Sequence, residues 1–117
     1  MFSHPPILTS DQATADYHVS GSSPFALGHY PRDAIFPGVM SLHFMKQLSD
    51  RFFEYLTDSD SKVVHLKRIT YLDVIRPGDI LNISCRLKKR DSRELHIQSF
   101  IRVNDVVMSK STFLYEQ

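Results

Sequence analysis

The chain has 117 residues, 42% of them hydrophobic and 23% charged, and its formal net charge is +1. This is the composition of an ordinary globular protein, and the length predicts one domain over 1–117. It excludes the broad basic footprint of a nucleic-acid binder, and no apolar run in the sequence approaches the length needed to cross a bilayer. Cys85 is the sole cysteine, which excludes a disulfide framework and a CxxC metal site and suits a reducing compartment. His4, His18, His65 and His96 are scattered without HxH or HExxH spacing, so no metal is expected. The opening MFSHPPILTS lacks a charged segment followed by an apolar core, so a signal peptide is not expected and the cytoplasm is the expected location.

In chain order, residues 1–11 carry Pro5 and Pro6 and predict an irregular arm. Residues 12–20 alternate weakly and predict a strand. Residues 21–37 are punctuated by Gly, Ser and Pro and predict a long loop, a feature uncommon in a small domain unless it is functional. From Gly38 a helix is predicted: Leu42, Met45, Leu48, Phe52 and Tyr55 recur at spacings of three and four, and Phe44, Phe53 and Leu56 widen the stripe. Lys46, Gln47, Asp50 and Glu54 line the opposite face. The run TDSDS, Thr57 to Ser61, predicts the helix end. The pattern then turns strand-like. Val63 to Tyr71 is rich in β-branched residues, and Arg76-Pro77-Gly78-Asp79 predicts a turn. Leu81, Ile83, Cys85 and Leu87 alternate, as do Leu95, Ile97, Ser99, Ile101 and Val103. Asn104-Asp105 predicts a two-residue hairpin before a last strand from Val106 to Tyr115. The sum is an α+β chain with one long helix and about five to six strands, the last four expected as a meander. The helix must bury its stripe, and an antiparallel sheet is the only surface left for it.

The stretch with chemical content is GHYPRDAIFPGVMSLHFM, residues 28–45. A helix N-terminus offers unpaired N–H groups and partial positive charge. Pro37 pre-sets that start, and Gly38 lets another group approach the backbone closely. Such a site can hold a carbonyl oxygen that gains negative charge. His29, braced by Pro31, is upstream, and a neutral imidazole there can take a proton from the carbon beside that carbonyl. A loop histidine equally serves structural roles, and spacing alone does not separate the two. Lys88, Lys89 and Arg90 form a basic turn that reads either as a solvated strand connection or as a dock for an acidic carrier protein. Asp33, close to His29 in sequence, reads as a surface turn residue or as a carboxylate offered to the same site, and Asp79 reads as a turn residue.

PFALGHYPRDAIFPGVMSLHFMKQ, residues 24–47, resembles the segment PFFxGHFPxxPIMPGVLxxEAMAQ of bacterial (3R)-hydroxyacyl-acyl-carrier-protein dehydratases. LKRITYLDVIRPGD, residues 66–79, resembles a second block of that family, IDKVRFKRPVVPGD. The resemblance implies a hot-dog fold: a central helix wrapped by a curved antiparallel sheet. It implies subunits paired edge to edge, as a homodimer or heterodimer that can assemble further, with active sites at the interface. The substrate would arrive on the phosphopantetheine of an acyl carrier protein, with no other cofactor. By the same resemblance His29 is the catalytic base, the Gly38 N–H holds the thioester carbonyl, and Tyr30, Phe36, Pro37 and Val39 contact the acyl chain. At the helix position where the family carries a carboxylate, this chain has His43. Three readings follow. His43 can serve as an imidazolium acid, a related partner subunit can supply the carboxylate, or the function can have shifted to thioester hydrolysis or to a noncatalytic subunit. The expected reaction is dehydration of a 3-hydroxyacyl thioester to the trans-2-enoyl thioester, in a specialised fatty-acid, polyene or polyketide pathway.

Overall fold

The computed structural model describes residues 2–19, 38–60 and 63–116. Its elements are β1 (Ile7–Leu8), β2 (Gln12–His18), α1 (Gly38–Thr57), β3 (Val63–Tyr71), β4 (Ile80–Arg90), β5 (Glu94–Val103) and β6 (Val106–Glu116). The six strands form one antiparallel sheet in the order β1-β2-β4-β5-β6-β3. This corrects the expected four-strand meander. Only β4-β5-β6 meander, while β3 pairs with β6 at the far edge, with Tyr71 opposite Ser109. Pairing of β3 with β6 leaves β4 free to lie beside β2. The Arg76–Asp79 turn therefore carries the chain across the sheet rather than folding one strand back on the next.

Local chemistry explains most boundaries. Asn104 and Asp105 both have positive φ, 49° and 66°, as a two-residue turn matched to strand twist requires. Asp58, with φ 53°, takes the left-handed conformation that ends a helix, and its N–H bonds to the Glu54 carbonyl at 2.8 Å. Gly78, with φ 93°, donates to the Val19 carbonyl at 2.6 Å, and the Val19 N–H bonds to the Asp79 carbonyl at 2.9 Å. The Asp79 carboxylate accepts the Arg76 N–H at 2.9 Å. The turn thus clips onto the chain just beyond β2, and Asp79 is a turn residue. The arm at 1–11 is more ordered than expected, because β1 pairs with β2 through a turn in which the Thr9 hydroxyl accepts the Gln12 N–H at 3.1 Å.

The buried face of α1 comprises Ser41, Phe44, Met45, Leu48, Ser49, Phe52 and Phe53. It lies on alternate residues of β4, β5 and β6, chiefly Leu81, Ile83, Cys85, Leu95, Ile97, Ile101, Phe113 and Tyr115, all buried. Each such large apolar side chain contributes roughly 1.5–3 kcal/mol on burial. The stripe is rotated from the one the apolar spacing predicts: Tyr55 is 50% exposed, while Ser41 and Ser49 are buried. Tyr115 on β6 explains the rotation. Its ring stacks on Phe53 at 4.6 Å, and its hydroxyl donates to Asp50 Oδ1 at 2.6 Å and is 2.8 Å from Ser49 Oγ. Asp50 is therefore half-buried and bonded rather than part of a solvated face, and Lys46 reaches it at 2.8 Å.

Burial pushes the Cys85 thiol up to about 12, against a partly opposing hydrogen bond with Ser99 Oγ at 3.0 Å. Burial also raises the Tyr115 phenol, aided by its bond to Asp50. Both groups hold their protons longer in the folded chain than in the unfolded one. Stability is therefore expected to be level through neutral pH and to fall once pH passes about 9, by at most ~1.4 kcal/mol per pH unit for the thiol. Melts at pH 7, 9 and 10.5 measure this. Iodoacetamide at pH 8 should leave native Cys85 unmodified and alkylate it in denaturant.

Candidate active site at the helix start

The first turn of α1 rests on the end of β3. The Tyr71 hydroxyl donates to the Gly38 carbonyl at 3.0 Å. The ring approaches so closely that a Cβ on residue 38 would be 3.1 and 3.2 Å from two of its carbons, which makes glycine the residue this contact favours. The chain after β3 is held beside the same turn. The Leu72 and Asp73 N–H groups both bond to the Met108 carbonyl, at 2.8 and 3.2 Å. Around this junction is a cavity of about 200 Å³ lined by Gly38, Ser41, Tyr71, Asp73, Val74, Ile75 and Ser109.

The electrostatics favour a polar oxygen there. The first turn of α1 carries no acidic residue, so no helix carboxylate offsets its partial positive charge. The Asp73 carboxylate is engaged by its own backbone, accepting the Val74 N–H at 2.8 Å. Ser41 and Ser109 place two buried hydroxyl-bearing residues on the cavity wall. Burial slightly raises the Tyr71 phenol, which stays a protonated donor.

Of the residues singled out in the sequence, Gly38 is at the expected helix start. Val39 follows it and is 68% exposed. His43 is exposed one turn further on, edge-on to Phe44 at 6.2 Å between ring centroids, and does not line the cavity. Within one chain, His43 and Gly38 thus face different spaces. His29, Tyr30, Phe36, Pro37 and Asp33 lie outside the described residues. Lys88, Lys89 and Arg90 extend β4 as an exposed end, with Lys89 4.0 Å from Asp91. Among the described residues, no helix is long and apolar enough to cross a membrane, and no group of three or more His, Cys, Asp or Glu is placed to hold a metal.

Sequence reasoning missed Ser41, Tyr71, Asp73 and Ser109 as site residues. Only Ser109 left a usable signal. It shares the inward register of β6 with Ser111, Phe113 and Tyr115, where a hydroxyl at the end of an apolar row calls for a partner.

A single long helix lying on a six-stranded antiparallel sheet, with its first turn opening on a cavity, defines the hot-dog class. The profile of ApeI-like dehydratases (ApeI dehydratase) matches residues 6–111, nearly the whole chain, and the protein belongs to that family. It is similar to the 3-hydroxyacyl-acyl-carrier-protein dehydratase FabZ of Pseudothermotoga lettingae, with 26% identity over 107 residues, covering 91% of this chain and 76% of the relative. Among solved structures it resembles the dehydratase heterocomplex ApeI:P from Xenorhabdus doucetiae, with TM-score 0.68, 12% identity, and coverage of 97% of this chain and 100% of that one. It also resembles thioesterase superfamily member 2 from Mus musculus, with TM-score 0.77, 10% identity, and coverage of 96% and 80%. The chain is thus a hot-dog member of the ApeI-like dehydratase family.

Because the Gly38 contact is close, Gly38→Ala is expected to crowd the Tyr71 ring at a cost of about 1 kcal/mol, set against the helix preference for alanine of similar size. The same substitution in a Tyr71→Ala background should cost much less. Urea titration of the four proteins gives the coupling directly.

Proposed function

We propose that the protein dehydrates a (3R)-hydroxyacyl-acyl-carrier-protein thioester to the trans-2-enoyl thioester, as a cytoplasmic enzyme of a specialised fatty-acid, polyene or polyketide pathway. The observation that carries this is the cavity at the start of α1, in a chain whose family is that of dehydratases. His29 takes a proton from the α-carbon. The electron pair moves toward the carbonyl oxygen, which the Gly38 N–H steadies. The pair then returns to form the double bond, and the bond from the β-carbon to its hydroxyl breaks. The hydroxyl leaves as water after receiving a proton from His43 or from a carboxylate on a partner subunit. Tyr30, Phe36, Pro37 and Val39 line the acyl path.

A partner subunit is part of the proposal. Around the cavity, Val39 at 68%, Tyr71 at 50%, Leu72 at 56% and Val74 at 45% expose apolar surface. The outer edge of β3 has no neighbouring strand among the described residues. Apolar patches and open strand edges are surfaces a protein normally covers. A second hot-dog subunit, identical or related, covers both and brings its own helix residue to this site. The acyl carrier protein is the second partner.

Two measurements test the reading. Incubation with a 3-hydroxyacyl and with a plain acyl carrier-protein thioester should give enoyl absorbance from the first and no free thiol from the second; the reverse would make the protein a thioesterase. His29→Ala should lower dehydration at least about 100-fold without lowering the melting temperature. His43→Ala should do the same if imidazole is the acid, whereas an unchanged rate assigns the acid to a partner subunit. Sizing of the native complex then shows whether that partner is a second, related chain.

A further inference from the structure

Ser109 is 2% exposed, and among the described residues its hydroxyl oxygen has no hydrogen-bond partner. A buried hydroxyl without a partner lowers stability, so its position needs a reason. Its neighbours on the inward row of β6 are satisfied: the Ser111 hydroxyl bonds to Met45 Sδ at 3.4 Å, and the Tyr115 hydroxyl to Asp50 and Ser49. Ser109 differs from them in its surroundings, because it lines the cavity at the start of α1. It is also held rigidly. Its strand partner is Tyr71, whose own hydroxyl is tied to the Gly38 carbonyl. One register therefore fixes both the helix start and the orphan hydroxyl around a common space.

The chemistry of that space narrows its occupant. The donors are the helix start and a serine hydroxyl, which call for an acceptor oxygen. The Asp73 carboxylate on the same wall disfavours a free carboxylate or phosphate and tolerates a neutral carbonyl. The cavity, of about 200 Å³, has room for the carbonyl end of an acyl group. We infer that Ser109 donates its hydroxyl hydrogen to the thioester carbonyl oxygen, as a second donor beside the Gly38 N–H. This rests on the dehydration reading of the same site. Ser109 then strengthens its bond as negative charge grows on that oxygen, and the cost of the orphan hydroxyl is recovered only when substrate is bound.

The test compares the wild type with Ser109→Ala, each in its native assembly. Two inert probes are used: an acyl-pantetheine amide, which keeps the carbonyl, and its methylene counterpart, which lacks it. Ser109→Ala should melt at the same or a higher temperature, since it removes an unsatisfied group. Its kcat for dehydration should fall about tenfold and its KM should rise, because the carbonyl is held in the bound substrate as well as in the transition state. Its affinity for the amide should fall about tenfold, with the methylene probe unaffected. The inference is overturned if Ser109→Ala keeps wild-type kcat and amide affinity, if it loses both probes equally together with stability, or if the wild type binds the two probes alike. The probe comparison needs no turnover. Selective loss of amide affinity in Ser109→Ala, in a protein that yields no enoyl product from any hydroxyacyl thioester, would therefore sink the dehydration reading while leaving the Ser109 donor in place.

Discussion

The bond from the Tyr71 hydroxyl to the Gly38 carbonyl sets the position of the helix start on the sheet. A 20-residue helix is a rod about 30 Å long, and to the apolar face that lays it on β4, β5 and β6 the Tyr71 bond adds a polar contact at its start. Tyr115 supplies a second, gripping Ser49 and Asp50 near the middle of the rod. Between these two tyrosines, one from each of two adjacent strands, the rod can neither slide nor turn far. The cavity at the first turn is beside the Tyr71 contact, between the helix start, Tyr71 and the chain that follows β3.

The core changes character along that rod. Toward its C-terminal end the packing is aromatic, with Phe52, Phe53, Phe113 and Tyr115 all buried. Toward the first turn Phe44 packs against Phe2 and Tyr17 on one side, at 5.8 and 4.6 Å between ring centroids, while the side facing β6 becomes small and polar, with Ser41, Ser109 and Ser111. The small side chains facing β6 at the helix start leave space and an open donor beside a core that is otherwise apolar, as expected where chemistry is to occur.

Much of this was legible in the chain. Period-two alternation located β4 and β5, the Asn104-Asp105 turn announced β6, and the apolar spacing from Gly38 located α1. The turn chemistry of Asn104-Asp105 and Gly78 also held, because positive φ is a local demand that local residue types meet. The neighbour of β3 was not legible. Strand order depends on which strands meet through space, and a meander is the simplest guess in the absence of that knowledge. The rotation of α1 was hidden for a related reason. Asp50 reads as a surface residue until Tyr115, 65 positions away, arrives to bond it. At the site, Gly38 was found from backbone logic, whereas Tyr71 and Ser109 emerge only from the register that sets them side by side. His29 was reached by spacing and resemblance, and it falls outside the described residues.

The place of β6 in the sheet has a temporal consequence. It is the last described strand to be made, yet it sits between β5 and β3 and carries the inward row beneath the helix. Until it is available, β3 has no strand to join and the helix lacks much of the floor it rests on. During synthesis the earlier elements must wait exposed on the ribosome, and closure comes as a late and concerted event.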